Sequence, residues 1–458
     1  MYGVYCRDHG GGMMEECAND AASKVLAPHP NDRYNLGMHV ICLVIDRLHA
    51  GCLGAFGNSW IETPSLDLLA SQGVVFDQAV IDSPDLDLLC RSYWQGWHSL
   101  CPETAADPNR SLAKRLAAVG VATTLLSDDP LVTGHPLAND FDAIVPIQAA
   151  GITEIAGDHP FQAEPADEVA EPADEVEDTH FARCLGEIVQ QVDSARGDSL
   201  LWCHLAGLGT IWDAPLVFRN AYREEGDPPP PRSVIPPNRI LPPDHDPDEL
   251  LGIVQSYAGQ VTLWDTCLGA LLDVLDDSPA GPETLLVVVS ARGFPLGEHH
   301  RVGPCDNALY GELVHVPWII RFPNGLAAGM RSQALTEPTD LWATLLDWWK
   351  ASPPPSPTAR SVLPLLRQEP FPLRDRLCIR GNAAEIAIRT PAWFLRGVET
   401  PELFAKPDDR WEVNNVAQRC MEVVEGLQEG MAQYAAARLT GRDAELPPLG
   451  DALLHGLE

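Results

Sequence analysis

Val40-Ile41-Cys42-Leu43-Val44-Ile45-Asp46 is an unbroken apolar run that stops on an acid. A strand buried on both faces has no polar side to alternate with, so such a run marks the centre of a parallel sheet covered by helices above and below. Asp46 then stands at the carboxyl end of that strand, the edge where open α/β sheets bind ligands. Outward from it, residues 122–126, 200–205, 284–290 and 316–322 read as further strands, with Leu285 to Val289 (LLVVV) the clearest. Helical patterns over residues 112–119, 180–192 and 250–275 separate them. That alternation specifies an α/β fold with a doubly wound, mostly parallel sheet.

Residues 35–350 hold this pattern, and residues 1–34 read as a flexible tail. Two interruptions fall inside the main domain. Within residues 157–178 the heptamer AEPADEV occurs twice in tandem, at 163–169 and 170–176, an acidic, proline-containing insertion. Residues 225–247, with PPPP, IPPN and LPPD, suit an extended strap. Beyond the prolines at 353–357, short strands at 377–380, 385–389, 392–396 and 402–405 and a helix over 416–439 predict a small C-terminal antiparallel α+β subdomain over residues 358–458.

The 458 residues carry 65 acidic against 31 basic side chains, a formal charge of −34, without a basic run. That balance excludes nucleic acid and anionic membrane surfaces as partners. The first 30 residues place Gly10 to Gly12, Glu15 and Glu16 where a signal peptide needs an apolar segment. No later window approaches a membrane span. The chain therefore reads as cytoplasmic, with export conceivable only from a misassigned start site. The twelve cysteines form no CxxC pair or Cys/His cluster and read as buried free thiols.

Four stretches carry a family likeness: residues 35–57, with Asp46 followed by LGAFG; residues 62–76, ETPSLDLLASQGVVF; residues 296–323, with LGEH and VPWIIRFP; and residues 387–417, with AIRT, ELF, PDD and NNVA. In this order they resemble the sulfatase family of the alkaline phosphatase superfamily. The resemblance implies a sulfatase-type fold and a mechanism in which a Cys or Ser of a CxPSR-type motif becomes formylglycine. Its hydrate attacks sulfur while Ca²⁺ or another divalent ion, held by carboxylates and an amide or imidazole, neutralises the sulfate.

This chain departs from that pattern where the chemistry is done. Aligned between Ser83-Pro84 and Gly96, Leu86 falls at the nucleophile, Leu88 at the proline and Cys90 at the arginine. Cys90 with Arg91 is the alternative, as a shifted nucleophile. Asp46 matches the first metal ligand, but its neighbour is Arg47. The family's SDHG-type turn is here Ser290-Ala291-Arg292-Gly293, so Ala291 and Arg292 occupy ligand positions, and Gly209 stands at a family histidine. No metal and no other cofactor is therefore expected. The cleft candidates are Asp46, Arg47, Arg292, His204, His299 and His300.

Each has a plainer reading beside it. A strand-end carboxylate such as Asp46 can simply accept backbone or arginine hydrogen bonds, His299 and His300 can face solvent or cap a helix, and Trp94, Trp97 and Trp212 can fill core instead of lining the cleft. Electrostatics predicts that Arg292, or failing that Arg47, stands in for the cation at Asp46. The leading expectation is a catalytically inactive homologue that binds a small anion or a protein partner through the former cleft. The alternative is an active sulfuric or phosphoric ester hydrolase with a site rebuilt from Asp82, Asp85, Asp87, His98, His204, His299 or His300.

Overall fold

The structure, a computed structural model, describes residues 37–102, 108–148, 171–356, 358–366, 369, 374–382, 385–440 and 446–457. The tail at 1–34 and the first AEPADEV copy lie outside the described residues. Among the described residues, ten strands come from the main domain: β1 (His39–Ile45), β2 (Val74–Ala79), β3 (Ala122–Ser127), β4 (Ala143–Pro146), β5 (Ser199–Leu205), β6 (Arg239–Ile240), β7 (Leu285–Val289), β8 (Arg301–Val302), β9 (Trp318–Arg321) and β10 (Met330–Thr336). Eight of them form one sheet in the order β10-β2-β9-β7-β1-β5-β3-β4.

β1 is central, parallel to β5 on one side and to β7 on the other. Its residues alternate between two cores. Val40, Cys42 and Val44 join the cluster on one face, while Ile41, Leu43 and Ile45 join that on the other. Burying each such side chain contributes roughly 1.5–3 kcal/mol, which is why a strand with no polar face must lie here.

The strand read over 316–322 is β9, and it runs antiparallel to both β2 and β7. β2, β4 and β10 carry mixed sequences and were not anticipated; β4 and β10 are the two edges, where only partial burial is required.

The helix Pro247–Asp277 spans the second face. Asp246 caps its first turn by accepting from the Asp248 amide, with Pro247 at the first helical position. The proline-rich strap is anchored to the domain. The Trp212 amide donates to Val234 O at 2.7 Å, the Arg219 guanidinium donates to the carbonyls of Pro231, Ser233 and Trp212, and β6 pairs with β8. At the end of the acidic insertion, Glu171 pairs with Arg232 of the strap at 2.5 Å.

The C-terminal strands β11 (Leu377–Arg380), β12 (Ile386–Arg389), β13 (Trp393–Arg396) and β14 (Glu402–Ala405) form an antiparallel sheet in sequence order, backed by the helix Met421–Leu439. That helix starts five residues later than the sequence suggested, because residues 416–420 close a tight turn with the Arg419 and Cys420 amides on Val416 O. The subdomain is tied to the main sheet through the Arg380 amide on Asp82 O at 2.8 Å and Arg389 Nη2 on Gln78 Oε1 at 2.7 Å.

Candidate functional site

The carboxyl ends of β1, β5 and β7 meet at Asp46. Arg292 follows β7 in the turn Ser290 to Gly293, and its guanidinium donates Nε to Asp46 Oδ1 at 3.0 Å, Nη2 to Asp46 Oδ2, and Nη1 to Pro84 O at 3.1 Å. The turn is braced by Ser290 Oγ, which donates to Arg292 O at 2.7 Å and accepts from the Leu48 amide at 3.1 Å. Burial pushes the Asp46 carboxyl up, but Arg292 and Arg47 outweigh it and hold it below the usual carboxylate range. Conversely, burial lowers Arg292 and Asp46 more than restores it, so the guanidinium stays charged.

Arg47 adopts φ 65°, a left-handed conformation unusual for arginine. The backbone around it is held by Tyr257, whose hydroxyl donates to Arg47 O at 2.8 Å and accepts from the His49 amide at 2.9 Å. Its Nε lies 3.8 Å from Asp46 Oδ2. Burial, then Arg292, brings its pKa down to about 9. A Cβ at Gly209 would come within 2.8 Å of Arg47 Cγ, so the room for a side chain at that position is filled by the Arg47 stem.

His204, at the end of β5, is 1% exposed, and neither ring nitrogen has a hydrogen-bond partner. Burial brings its pKa down to about 4, so the imidazole is neutral. Beside it Asp128 accepts from His180 Nε2 at 2.6 Å and from the Ala206 amide at 2.7 Å. Asp128, His180 and Cys184 are the one group of three such side chains gathered among the described residues, and the carboxylate and imidazole already satisfy each other.

Leu86 opens the helix Leu86–Gln95, capped by Asp85, which accepts from the Leu88 amide at 3.1 Å. Cys90 lies one turn further and is buried; burial drives its thiol well above its ordinary value, and Asp87, Asp129, Arg292 and Asp46 also act on it. Such a thiol is not a nucleophile at neutral pH. Arg91 pairs with Asp87 at 2.8 Å along the helix.

His299 is neither solvent-facing nor in the cleft: Nδ1 meets Glu312 Oε1 at 2.8 Å, Nε2 donates to Glu412 O at 3.0 Å, and the ring stacks on Tyr310 at 3.7 Å. His300 is exposed. Asp82 accepts from Ser92 Oγ at 2.6 Å and the Ser99 amide at 2.7 Å, and His98 meets Cys378 O at 3.2 Å. Trp94, Trp97 and Trp212 are buried in core. Sequence reasoning did not find Tyr257, Asp128 or His180. Their partners come from distant strands and helices, and no local pattern marks them.

A hard divalent cation takes roughly six to eight oxygen ligands. Here both Asp46 oxygens are engaged by Arg292, with Arg47 and His204 also beside the carboxylate. This donor set does not fit the family's metal, and Leu86 and Cys90 do not fit formylglycine formation.

In fold and in part of its sequence the chain resembles the sulfatases of the alkaline phosphatase superfamily. The sulfatase family model matches residues 152–351. The chain is similar to the multifunctional alkaline phosphatase superfamily protein PehA of Trinickia caryophylli, 30% identical over 27% of this chain and 24% of that one. It is also similar to the N-acetylglucosamine-6-O-sulfatase of Bacteroides thetaiotaomicron, 32% identical over 40% of this chain and 36% of that one. The matched segments thus span about a quarter to a third of these relatives. In structure it is similar to the phosphonate monoester hydrolase of Agrobacterium radiobacter, with a TM-score of 0.69 at 19% identity over 88% of this chain and 96% of that one.

Proposed function

We propose that this protein is a catalytically inactive sulfatase homologue that binds a ligand, a small anion or a protein partner, through the former active-site cleft. The observation that supports this reading is the guanidinium of Arg292 on both oxygens of Asp46, where the family would hold a divalent ion. Neither position considered for the nucleophile supplies one, since Leu86 has no lone pair and burial drives the Cys90 thiol well above its ordinary value. Losing nucleophile and metal together removes the terms that typically supply most of such a rate. The ten described cysteines are all free, which supports a reducing, cytoplasmic location. No helix among the described residues is long and apolar enough to cross a membrane, and the charge of −34 speaks against nucleic acid.

An active ester hydrolase with a rebuilt site is the second reading, favoured by the position of Cys90 within the electrostatic reach of Arg292 and Asp46. Incubating the purified chain with phenyl sulfate, phenyl phosphate and a phenyl phosphonate ester, each with Ca²⁺, Mn²⁺ or Zn²⁺, separates the two. The expected result is no turnover above buffer. Turnover that Cys90→Ala or Asp46→Asn abolishes would establish the second reading instead.

A further inference from the structure

Between the turn after β1, the end of β2 and the C-terminal sheet lies a cavity of about 220 Å³. Among the described residues its wall contains neither Asp46 nor Arg292. Three carboxylates face it, and each has its own cation. Asp77 accepts from Arg331, Glu412 from Lys406 Nζ at 2.8 Å, and Glu312 pairs with His299 Nδ1 at 2.8 Å.

Two guanidiniums are left over. Arg389, 6% exposed, donates to the carbonyls of Thr390 and Trp393 and to Gln78 Oε1 at 2.7 Å, all neutral acceptors. Arg410 lies 5.1 Å over the ring of Trp411, which is 47% exposed at the cavity edge. Among the described residues neither guanidinium has a carboxylate within ion-pair distance. A Cβ at Gly51 would come within 2.8 Å of Trp411, so the glycine lets the indole close over this wall.

We propose that this cavity is a binding site for a small oxyanion ester, with the sulfate or phosphate group between Arg389 and Arg410 and a ring-sized body against Trp411. The site is separate from the Asp46 cleft and stands whether or not the chain hydrolyses anything. The buried Arg389 charge feels Glu412 but forms no ion pair with it, and a buried charge without a direct ion pair is costly; an oxyanion held between it and the exposed Arg410 offsets that cost, because the guanidinium fork matches two oxygens at once. The positive character of the wall also acts on His315: burial first, then Arg389, Lys406 and Arg410, bring its pKa down to about 4 and leave it a neutral donor or acceptor. The volume is at the small end of ligand pockets, which restricts the body to about one ring. The acidity of the remaining surface does not cancel this attraction, since charges beyond about 8 Å are largely screened at physiological salt.

Calorimetric titration of the full chain with phenyl phosphate and with phenyl sulfate tests the site, in the unchanged protein and in Arg410→Gln and Trp411→Ala. Both substitutions fall on exposed side chains, so folding should survive. The expected result is saturable one-to-one binding of at least one probe, weakened about tenfold or more by Arg410→Gln and measurably by Trp411→Ala; whichever probe binds tighter identifies the ester. Binding of neither probe, or binding that Arg410→Gln leaves unchanged, overturns the proposal, the latter because the ligand would then sit elsewhere, as in the Asp46 cleft.

Discussion

Arg292 holds Asp46 through two nitrogens, Nε on Oδ1 at 3.0 Å and Nη2 on Oδ2, while its third reaches Pro84 O. The strand-end carboxylate that a sulfatase would neutralise with a metal is neutralised here by a side chain from the turn after the neighbouring strand β7. A divalent ion about 4 Å from that guanidinium would meet a repulsion of about 8 kcal/mol at an effective dielectric near 20. Arg47, 3.8 Å from the same carboxylate, adds to it.

Arg292→Ala strands a buried carboxylate and is expected to lower stability by about 3–5 kcal/mol, measured by chemical denaturation. Arg292→Lys should recover only part of this, because an ammonium cannot bond both oxygens in the same geometry. A loss below about 1 kcal/mol for the alanine variant, the level of an exposed pair, would mean that Arg292 is not the partner on which Asp46 depends.

His299 clamps the main domain to the C-terminal subdomain through Glu312 and the Glu412 carbonyl. Both ring nitrogens can donate only in the imidazolium. Burial lowers the pKa of His299, but the Glu312 and Glu412 interactions more than compensate and raise it above its ordinary value. A raised folded-state pKa gives stability that is complete below about pH 6.5, the unfolded value, and is lost as pH climbs through the folded value above it. Thermal melts across that range should fall with pH, and Glu312→Gln should flatten the fall. An identical slope in the variant would sink the assignment.

His204 behaves in the opposite direction. Its imidazole is held neutral down to about pH 4, so the unfolded chain binds a proton that the folded one refuses, and stability drops as pH falls from about 6.5 toward that value. Because neither nitrogen has a hydrogen-bond partner, His204→Leu should be neutral or stabilising at pH 7 and should reduce the acid sensitivity. A loss of more than about 2 kcal/mol at neutral pH, typical of a broken buried bond, would reveal a partner and refute this.

Cys90 should remain an unmodified, slowly reacting thiol. It is buried, its thiol is driven well above its ordinary value, and Arg91, Ser92 and Tyr93 follow it in place of the family's proline-serine-arginine context. Peptide mass spectrometry reads this directly. A mass matching formylglycine at position 90 would restore the hydrolase reading.

The centre of the fold was legible because β1 and β7 are buried on both faces, and such strands leave long apolar runs. β10 and β4 were not, since edge strands half exposed to water keep polar residues. Nor does the sequence of β9 carry its direction, which depends on the connections around it. The Asp46 and Arg292 pair was within reach, because a family turn places both side chains at one sheet edge. The Tyr257 hydroxyl that braces Arg47, 210 residues away, was not, and neither was the filling of the Gly209 space by the Arg47 stem. The leftover charges of Arg389 and Arg410 emerge only after every cavity carboxylate has been matched with its cation.

Calcium titration of the purified full chain, followed by calorimetry and repeated with Asp46→Asn, tests the central claim most directly. Calcium is the appropriate ion because it prefers oxygen donors and has little affinity for the thiol and imidazole of Cys184 and His180. The expected result is no stoichiometric binding, with the two proteins indistinguishable. One calcium per chain, lost when Asp46 becomes asparagine, would contradict the replacement of the metal by Arg292.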